Sequence, residues 1–549
     1  MIKRLFRIFT YLIALCVFFF ILKSFTPQQE FSLLIKEGFI LDGTGNPWFK
    51  ADLGIKGKRI VEIGSLSRKR AGKTIEAAGL FVTPGFIDVH THCDRGIVEV
   101  PTVDNYIHQG VTTVIGGNCG GHPFPVAELF LKLEENGMSV NFGCLVGHNT
   151  IRREVMGLGM EPPTDTELNR MRVLIRKEME SGALGFSTGL SYLPGAYADT
   201  SELVSLVSAI VPYEGIYASH IRDQGKNIKR AVQEAIEVGE KNNIPVLVSH
   251  IKLAEDAVWG KPELITGPVE KARKRGVEVF LDQYPYTATS SGFTSSLPSW
   301  CFEGGREKFL ERLKDKRAYR EIKSFVIKRR LTSTKNIDKL VTIYIGRSEE
   351  FPGFEGKNLR EILISQNKEP TIDNAADLII DIEKNGGANG IFFQMDEEDV
   401  EHLMGLPYTM HASDGSVQVK GKGVPHPRNY GTFPRIIDHY VKEKGILALE
   451  EAVRKMTSLP AQVYRIRDRG MLREGMYADI AVFDMSSLKD RATFAEPHQY
   501  AQGFRCVIVN GEVVVEDDSH TGKLPGIVIY GPGKEQEAEN DSQNRNGNT

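Results

Sequence analysis

Two histidines one residue apart, His90 and His92, end an apolar stretch and have the chemistry of metal ligands. Alternate side chains of a strand share a face, so both imidazoles would point the same way. Two neutral imidazoles placed in this way can reach one zinc ion at about 2.0–2.1 Å. Taken alone, the pair fits equally well two partly buried histidines satisfied by backbone hydrogen bonds.

Further side chains that suit metal chemistry follow other apolar stretches of the chain. They are Cys119, His220, His250 and Asp414. Cys119 precedes Gly120, and Asp414 follows the last of these stretches. Imidazole and thiolate ligands favour zinc over magnesium or calcium, which prefer oxygen. The sequence therefore predicts a metal site, provided that the fold brings these residues together.

The middle of the chain alternates short apolar stretches with helical periodicity, which predicts a parallel sheet. The predicted strands are Gly85–His90, Val111–Gly116, Val140–Val146, Ala183–Ser187, Ile216–His220, Pro245–His250, Val277–Gln283 and Tyr408–Ala412. Eight repeated strand–helix units predict an α/β fold, the (β/α)8 TIM barrel. Active sites of that fold lie where the strands end. The metal-binding candidates stand at such positions.

Glycine-punctuated short strands flank the barrel and predict a small β-sandwich domain built from both chain ends. Its parts are 31–83 and 466–530, and the barrel lies between them at 84–465. A charged insertion of about 287–344 separates strands seven and eight. Its basic run at 328–330 is interpreted as a solvated helix face, with a nucleic-acid patch as the alternative. The net charge of −3 argues against nucleic acid as a partner.

The two ends of the chain differ in composition from the middle. Residues 1–30 begin with a basic cluster followed by the mostly apolar run 8–22, which predicts a signal-anchor or transmembrane segment. The positive-inside rule then predicts a membrane-anchored protein with its catalytic domain outside the cytoplasm, periplasmic or extracellular. Secretion after signal cleavage is the alternative. The tail 531–549 has almost no large apolar residues and is predicted to be disordered.

Several motifs resemble the amidohydrolase superfamily, and within it the N-acyl-D-amino-acid deacylases, the D-aminoacylase family. These motifs are Thr83–His92, Gly117–Gly120, Ser219–Arg222, Ser249–Lys252, Asp282–Tyr286, Ser413–Gly415 and His426–Phe433. The resemblance runs from about Phe31 to Tyr530. The cysteine motif together with His426-Pro427-Arg428 is its most specific part.

The resemblance implies one Zn2+ held tightly by Cys119, His220 and His250. It also implies a second, weaker metal position at His90 and His92, with Cys119 as a bridge. Some relatives bridge two metals with a modified lysine. Residues 182–189 of this chain, where that lysine would be expected, contain no lysine. That absence counts against a hydantoinase-like or dihydroorotase-like activity.

The activity implied by the resemblance is hydrolysis of the amide bond of N-acyl-D-amino acids to a carboxylate and a free D-amino acid. Zinc would polarise the acyl carbonyl. Asp414 would act as general base for the attacking water and return the proton to the amine. A structural turn is the alternative for Asp414. The substrate carboxylate would be bound by four residues, and an arginine fork suits that task. The four are Arg428, Lys252, Tyr284 and Ser290.

Two other functions stay open at this point. One is a related amidohydrolase acting on dipeptides with a D-residue at the C-terminus, or on other amides. The other is an exported binding protein that kept the barrel and lost turnover. A binding protein would be expected to lose the general base, and Asp414 is present.

Overall fold

The computed structural model describes residues 30–534. The predicted signal-anchor segment and the predicted tail beyond residue 534 lie outside this range. Within it, no helix combines the length and the apolar character needed to cross a membrane.

The described strands, numbered in chain order, are β1 (Phe31–Ile40), β2 (Phe49–Lys56), β3 (Arg59–Gly64), β4 (Ala71–Glu76), β5 (Phe81–Pro84), β6 (Phe86–Asp88), β7 (Val111–Gly116), β8 (Asn141–Cys144), β9 (Val146–Gly147), β10 (Gly185–Gly189), β11 (Ile216–His220), β12 (Val246–Val248), β13 (Val279–Gln283), β14 (Ala288–Gly292), β15 (Ile343–Arg347), β16 (Asn389–Phe393), β17 (Thr409–His411), β18 (Ile480–Phe483), β19 (Phe504–Val509), β20 (Glu512–Glu516) and β21 (Ser519–His520). The α-helices are Asp104–Ile107, Val126–Asn136, His148–Met156, Asp165–Glu180, Thr200–Val207, Ile228–Asn242, Glu263–Lys274, Arg306–Arg312, Lys316–Val326, Leu359–Ser365, Ile372–Lys384, Glu397–Gly405, Arg428–Arg435, Leu449–Met456 and Ser458–Val463.

The parallel strands form two sheets, ordered β6-β7-β8 and β9-β10-β11-β12-β13-β17. Only Leu145 separates β8 from β9 along the chain. A parallel bridge between Thr91 and Gly415 joins the segments that follow β6 and β17. Each strand predicted for the middle of the chain has a counterpart, the third being divided into β8 and β9.

These parallel strands are covered on both faces, and β7, β10, β11 and β13 are buried at every residue. The helix Ile228–Asn242 buries Ile228, Val232 and Gly239 on one face. Gly239 allows this helix to approach the sheet closely, because a Cβ there would lie 1.9 Å from Val246 Cγ2. The helix therefore fixes the outer face of β12, and β12 leads directly to His250.

Strands from both chain ends form one sheet, ordered β21-β20-β19-β18-β5-β1-β2-β3, with β4 also beside β1. The two ends meet in the antiparallel pair of β5 and β18, where Ile480 lies opposite Pro84. Leu53, Ile480 and Ile508 share one apolar core. The strands predicted to come together from both chain ends are thus hydrogen-bonded to each other, and β5, which takes part in this pairing, leads directly into β6.

The insertion between β13 and β17 extends further than predicted. Its antiparallel sheet has the order β14-β16-β15, and β16 ends at Phe393, well past the predicted limit at residue 344. The reason is that β16 pairs with both β14 and β15, a long-range contact that local spacing does not reveal. Phe293, Ile345 and Ile379 belong to a separate apolar core of the insertion.

Candidate active site

Cys119 lies at the centre of a cluster of histidines. Its Sγ is 3.3 Å from His90 Nε2, 3.5 Å from His220 Nδ1 and 3.3 Å from His250 Nε2. The ligand atoms of one tetrahedral zinc lie roughly 3.5 Å apart, because the bonds are about 2.0–2.3 Å long. Both the donor atoms and their spacing therefore fit a zinc ion.

A second group of donors adjoins the first and shares His90 with it. Asp414 Oδ1 lies 3.2 Å from His92 Nε2 and 3.8 Å from His90 Nε2. The ligand atoms of His90, His92 and Asp414 lie within 4.8 Å of one another, and so do those of His90, Cys119 and His250. The structure thus brings all the predicted metal-binding candidates together with the predicted base. Because β6 ends at Asp88, both His90 and His92 lie after the strand rather than within it.

Three residues of the site have a left-handed backbone conformation: Cys119 (φ 54°), His250 (φ 35°) and Asp414 (φ 50°). This region is uncommon for residues other than glycine, and such positions cluster at active sites, where surrounding structure holds them. The unusual backbone aims these three side chains into the same space.

The turn that presents Cys119 depends on Gly117. Gly117 has a φ of +73°, and a Cβ there would lie 2.1 Å from the Leu145 carbonyl oxygen. A side chain at this position would therefore displace either the cysteine turn or the junction of β8 and β9.

Gly117→Ala is expected to lower the free energy of unfolding by about 3 kcal/mol or more, since it combines left-handed strain with a backbone clash. Gly157 is a matched control, with a φ of +64° and no atom within 4 Å of a Cβ. Gly157→Ala should cost only about 1–2 kcal/mol, the strain alone. Urea denaturation measures both, and equal losses would contradict this account of the cysteine turn.

Asp282 orients two of the histidines. Its Oδ1 accepts a 2.7 Å hydrogen bond from the His250 backbone N–H, and its Oδ2 lies 3.5 Å from His90 Nδ1. Asp282 has no predicted role, although a carboxylate near the end of the apolar strand β13 is a recognisable signal. Buried carboxylates that hold the second nitrogen of a ligand histidine fix its tautomer and orientation.

The remaining histidine nitrogens contact loop residues that sequence reasoning missed. Ser191 Oγ lies 2.7 Å from His220 Nε2, and Gln224 Nε2 lies 3.2 Å from His250 Nδ1. Neither loop residue has a spacing or motif that marks it. Both contacts leave the opposite nitrogen of each ring facing Cys119.

Positive charges hold both Cys119 and Asp414 in the ionised form. Burial by itself would raise the pKa of the Cys119 thiol, but His90, His250 and His220 together outweigh burial and hold the pKa well below its usual value. Burial would also raise the pKa of Asp414, but Arg428 and the neighbouring histidines together hold it well below the usual range. Arg428 Nη1 lies 2.9 Å from Asp414 Oδ2. A thiolate is the form that binds metal, and a carboxylate is the form that accepts a proton.

Three of the predicted carboxylate-binding residues converge beside Asp414. The Arg428 guanidinium lies 4.9 Å and Lys252 Nζ 5.2 Å from the centre of the Tyr284 ring. Ser290 takes part through its backbone, because its carbonyl oxygen accepts a 3.4 Å hydrogen bond from Arg428 Nη2. The Ser290 hydroxyl instead donates to Asn389 Oδ1 of the insertion at 2.6 Å.

A cavity of about 1150 Å³ opens onto this cluster, and Cys119 and Asp414 are among its lining residues. A smaller cavity of about 80 Å³ adjoins it, lined in part by Lys252, Tyr284 and Arg330. The interpretation of 328–330 as a solvated face is therefore wrong for Arg330. Lys328 is exposed, whereas Arg330 is half-buried, because the segment folds back onto the site.

Comparison with known proteins agrees with this geometry. The Amidohydrolase family model matches residues 73–293 and 410–515. A D-aminoacylase of Alcaligenes xylosoxydans xylosoxydans is 34% identical over 92% of this chain and 99% of the relative.

Two solved structures share the fold. The N-acyl-D-glutamate deacylase from Bordetella bronchiseptica, complexed with zinc and a phosphonate inhibitor, is 32% identical with a TM-score of 0.78, over 91% of this chain and 99% of that one. A D-aminoacylase studied for its binuclear metal center is 32% identical with a TM-score of 0.76, at the same coverage. Fold and site are those of an amidohydrolase. The chain belongs to the amidohydrolase family, where the D-aminoacylases are its relatives, which confirms the resemblance seen in the motifs.

Proposed function

We propose that this protein is a zinc-dependent hydrolase of the amide bond in N-acyl-D-amino acids, releasing a carboxylate and a free D-amino acid. The observation that carries the proposal is the Cys119 cluster, with the ionised Asp414 beside it and paired with Arg428 at 2.9 Å. The D-aminoacylase and N-acyl-D-glutamate deacylase relatives support the substrate class.

Cys119, His220 and His250 would hold one zinc tightly, and His90 and His92 would border a second, weaker position with Cys119 as the bridge. The sulfur-to-nitrogen distances of 3.3 and 3.5 Å support the first set. The D-aminoacylase relative with a binuclear metal center supports the second. Zinc bound there would supply a Lewis acid that polarises the acyl carbonyl.

The chain's own residues would then move one proton and fix the substrate. Asp414 takes a proton from the attacking water and delivers it to the departing amine nitrogen. Arg428 keeps Asp414 ionised, and its Nε has no hydrogen-bond partner among residues 30–534. That free N–H, with Lys252 Nζ and the Tyr284 hydroxyl, would bind the substrate carboxylate.

Arg428→Ala is expected to raise KM for N-acetyl-D-amino acids by about 10- to 100-fold, the usual cost of a lost hydrogen bond to a charged group. Substrates whose carboxylate is amidated should be affected much less. Steady-state kinetics on matched acid and amide substrates measures the difference. Equal losses on both would contradict a carboxylate-binding role.

The activity itself is tested with zinc-supplemented protein and paired N-acetyl-D- and N-acetyl-L-amino acids, with release of free amino acid as the measured quantity. The panel includes dipeptides with a D-residue at the C-terminus, the other amide substrates left open by the sequence. We expect hydrolysis of the N-acetyl-D-amino acids and none of the N-acetyl-L-amino acids or the dipeptides. No hydrolysis of any substrate in the panel would refute the proposed enzymatic activity and favour an exported binding protein.

Two structural details belong to the same proposal. The parallel sheets would close into one (β/α)8 barrel, supported by the bridge between Thr91 and Gly415, and the terminal strands would form a β-sandwich beside it. Residues 1–30 would anchor the protein in a membrane with the catalytic domain outside the cytoplasm, supported by their basic and apolar sequence. Cell fractionation distinguishes anchoring from secretion of a cleaved form.

A further inference from the structure

The smaller cavity lies against the metal cluster and beside three of the four residues predicted to bind the substrate carboxylate, whereas the fourth, Arg428, lines the larger cavity. His220, His250, Lys252 and Tyr284 are among the residues that line it. Its volume of about 80 Å³ suits a short polar side chain rather than a long acyl group. The larger cavity, which shares Tyr192 and Asp414 with the smaller one, leaves ample space for the acyl part of a substrate.

Arg330 enters this small cavity from the insertion. It lies in the π-helical segment Ile327–Leu331, a rare conformation that is frequent at functional sites. Its guanidinium carbon is 4.4 Å from the centre of the Phe392 ring, which fixes the plane of the group.

Every hydrogen-bond partner of the Arg330 guanidinium is neutral. Nε donates to Ser296 Oγ at 2.9 Å, Nη1 to Gln394 Oε1 at 3.2 Å and Nη2 to Ser295 Oγ at 2.9 Å. A guanidinium has five N–H groups, so these contacts leave two free.

No carboxylate in residues 30–534 forms an ion pair with Arg330. The adjacent Arg329, by contrast, pairs with Glu255 at 2.9 Å. Lys252, on the same cavity, likewise forms no ion pair with a carboxylate of these residues, and its ammonium hydrogen-bonds to Gln224 and His250. Partly buried charges are costly unless they are paired. Asp414 and Glu255 also line the cavity, but Asp414 pairs with Arg428 and Glu255 with Arg329, so Lys252 and Arg330 are two cations of the cavity without an ion-pair partner among residues 30–534.

We propose that Arg330 binds the side-chain carboxylate of the substrate, so that the preferred substrates are N-acyl derivatives of acidic D-amino acids. This inference rests on the proposed deacylase function. Lys252, Tyr284 and Arg428 bind the α-carboxylate. The side-chain carboxylate accepts hydrogen bonds from the two free N–H groups of Arg330. Two carboxylates of one substrate thus match the two unpaired cations of one cavity.

The test compares N-acetyl-D-glutamate with N-acetyl-D-glutamine, N-acetyl-D-aspartate with N-acetyl-D-asparagine, and N-acetyl-D-methionine as a neutral reference. Each acid and its amide have the same size, so a difference reports charge recognition. The zinc-supplemented full chain should favour at least one acid over its amide by about 10- to 100-fold in kcat/KM, the range expected for a hydrogen bond to a charged group.

Arg330→Gln should remove this preference, mainly by raising KM for the acid, and should leave N-acetyl-D-methionine hydrolysis within about 3-fold of the unmodified protein. Lys328→Gln removes a charge from the same segment at an exposed position and should change nothing. No preference for acids in the unmodified protein would overturn the inference. So would an equal slowing of all substrates by Arg330→Gln, which would indicate a purely structural arginine. Absence of hydrolysis of every D-substrate would instead refute the deacylase function.

Discussion

Asp414→Asn is expected to lower kcat by about 1000-fold, within the range attributed to general acid–base catalysis, while the tightly bound zinc remains. Asparagine has nearly the same shape as aspartate but cannot accept the proton from water. The Cys119, His220 and His250 donors are untouched by the change. The imidazole nearest to the Asp414 carboxylate is that of His92, at 3.2 Å, which belongs to the weaker metal position. Metal analysis of the purified variant, together with single-turnover kinetics, measures both effects.

Asp399→Asn is a suitable control for the asparagine substitution. Asp399 is a buried carboxylate outside the site, where it accepts a 2.9 Å hydrogen bond from the Gly260 N–H. This variant should keep kcat near that of the unmodified protein even if it loses stability. Loss of tight zinc from Asp414→Asn would show that Asp414 is primarily a metal ligand, and turnover near normal would show that it is not the base.

Cys119→Ser is expected to abolish tight zinc binding and, with it, detectable turnover. The serine hydroxyl is a much weaker ligand than a thiolate, and it is not ionised near neutral pH. The thiolate also lies within 3.5 Å of three histidine nitrogens, so its loss removes the common neighbour of the whole cluster. We expect the zinc affinity to fall by at least about 100-fold. Loss of a residue that only hydrogen-bonds to a metal ligand already costs up to about that much.

Cys506→Ala provides the comparison for the cysteine variant. Cys506 is buried in β19 of the terminal sheet, far from the metal-binding candidates in sequence and in a different sheet from them. Its substitution should leave the zinc content at the level of the unmodified protein. A Cys119→Ser protein that still binds zinc tightly would mean that His90, His220 and His250 suffice as ligands.

Much of the fold could be predicted from the sequence because the parallel strands are continuous apolar stretches with polar residues at their ends. The strands that deliver His220 and His250 were located from such stretches, and Cys119 was marked by its neighbouring glycine. The site followed from the rule that parallel strands end on the same face. Asp282 escaped assignment because its role depends on distances across the sheet rather than on spacing.

The structure of the insertion could not be predicted from local sequence patterns. The strand β16 pairs with two strands far away in sequence, and a pattern of local periodicity contains no information about such contacts. Arg330 was interpreted as a surface residue because Lys328-Arg329-Arg330 is a basic run in the sequence. Contacts inside the insertion, from the Arg330 guanidinium to the Phe392 ring and to Gln394, hold Arg330 at the site.

The most direct test of the account is a zinc titration of metal-free protein. Chelator-treated protein is assayed with the best N-acetyl-D-amino acid while zinc is added in fractions of an equivalent. We expect no turnover without zinc, and a linear rise to full activity that ends at one zinc per chain. Activity that is independent of zinc, or that needs two equivalents, would contradict a single tight site centred on Cys119.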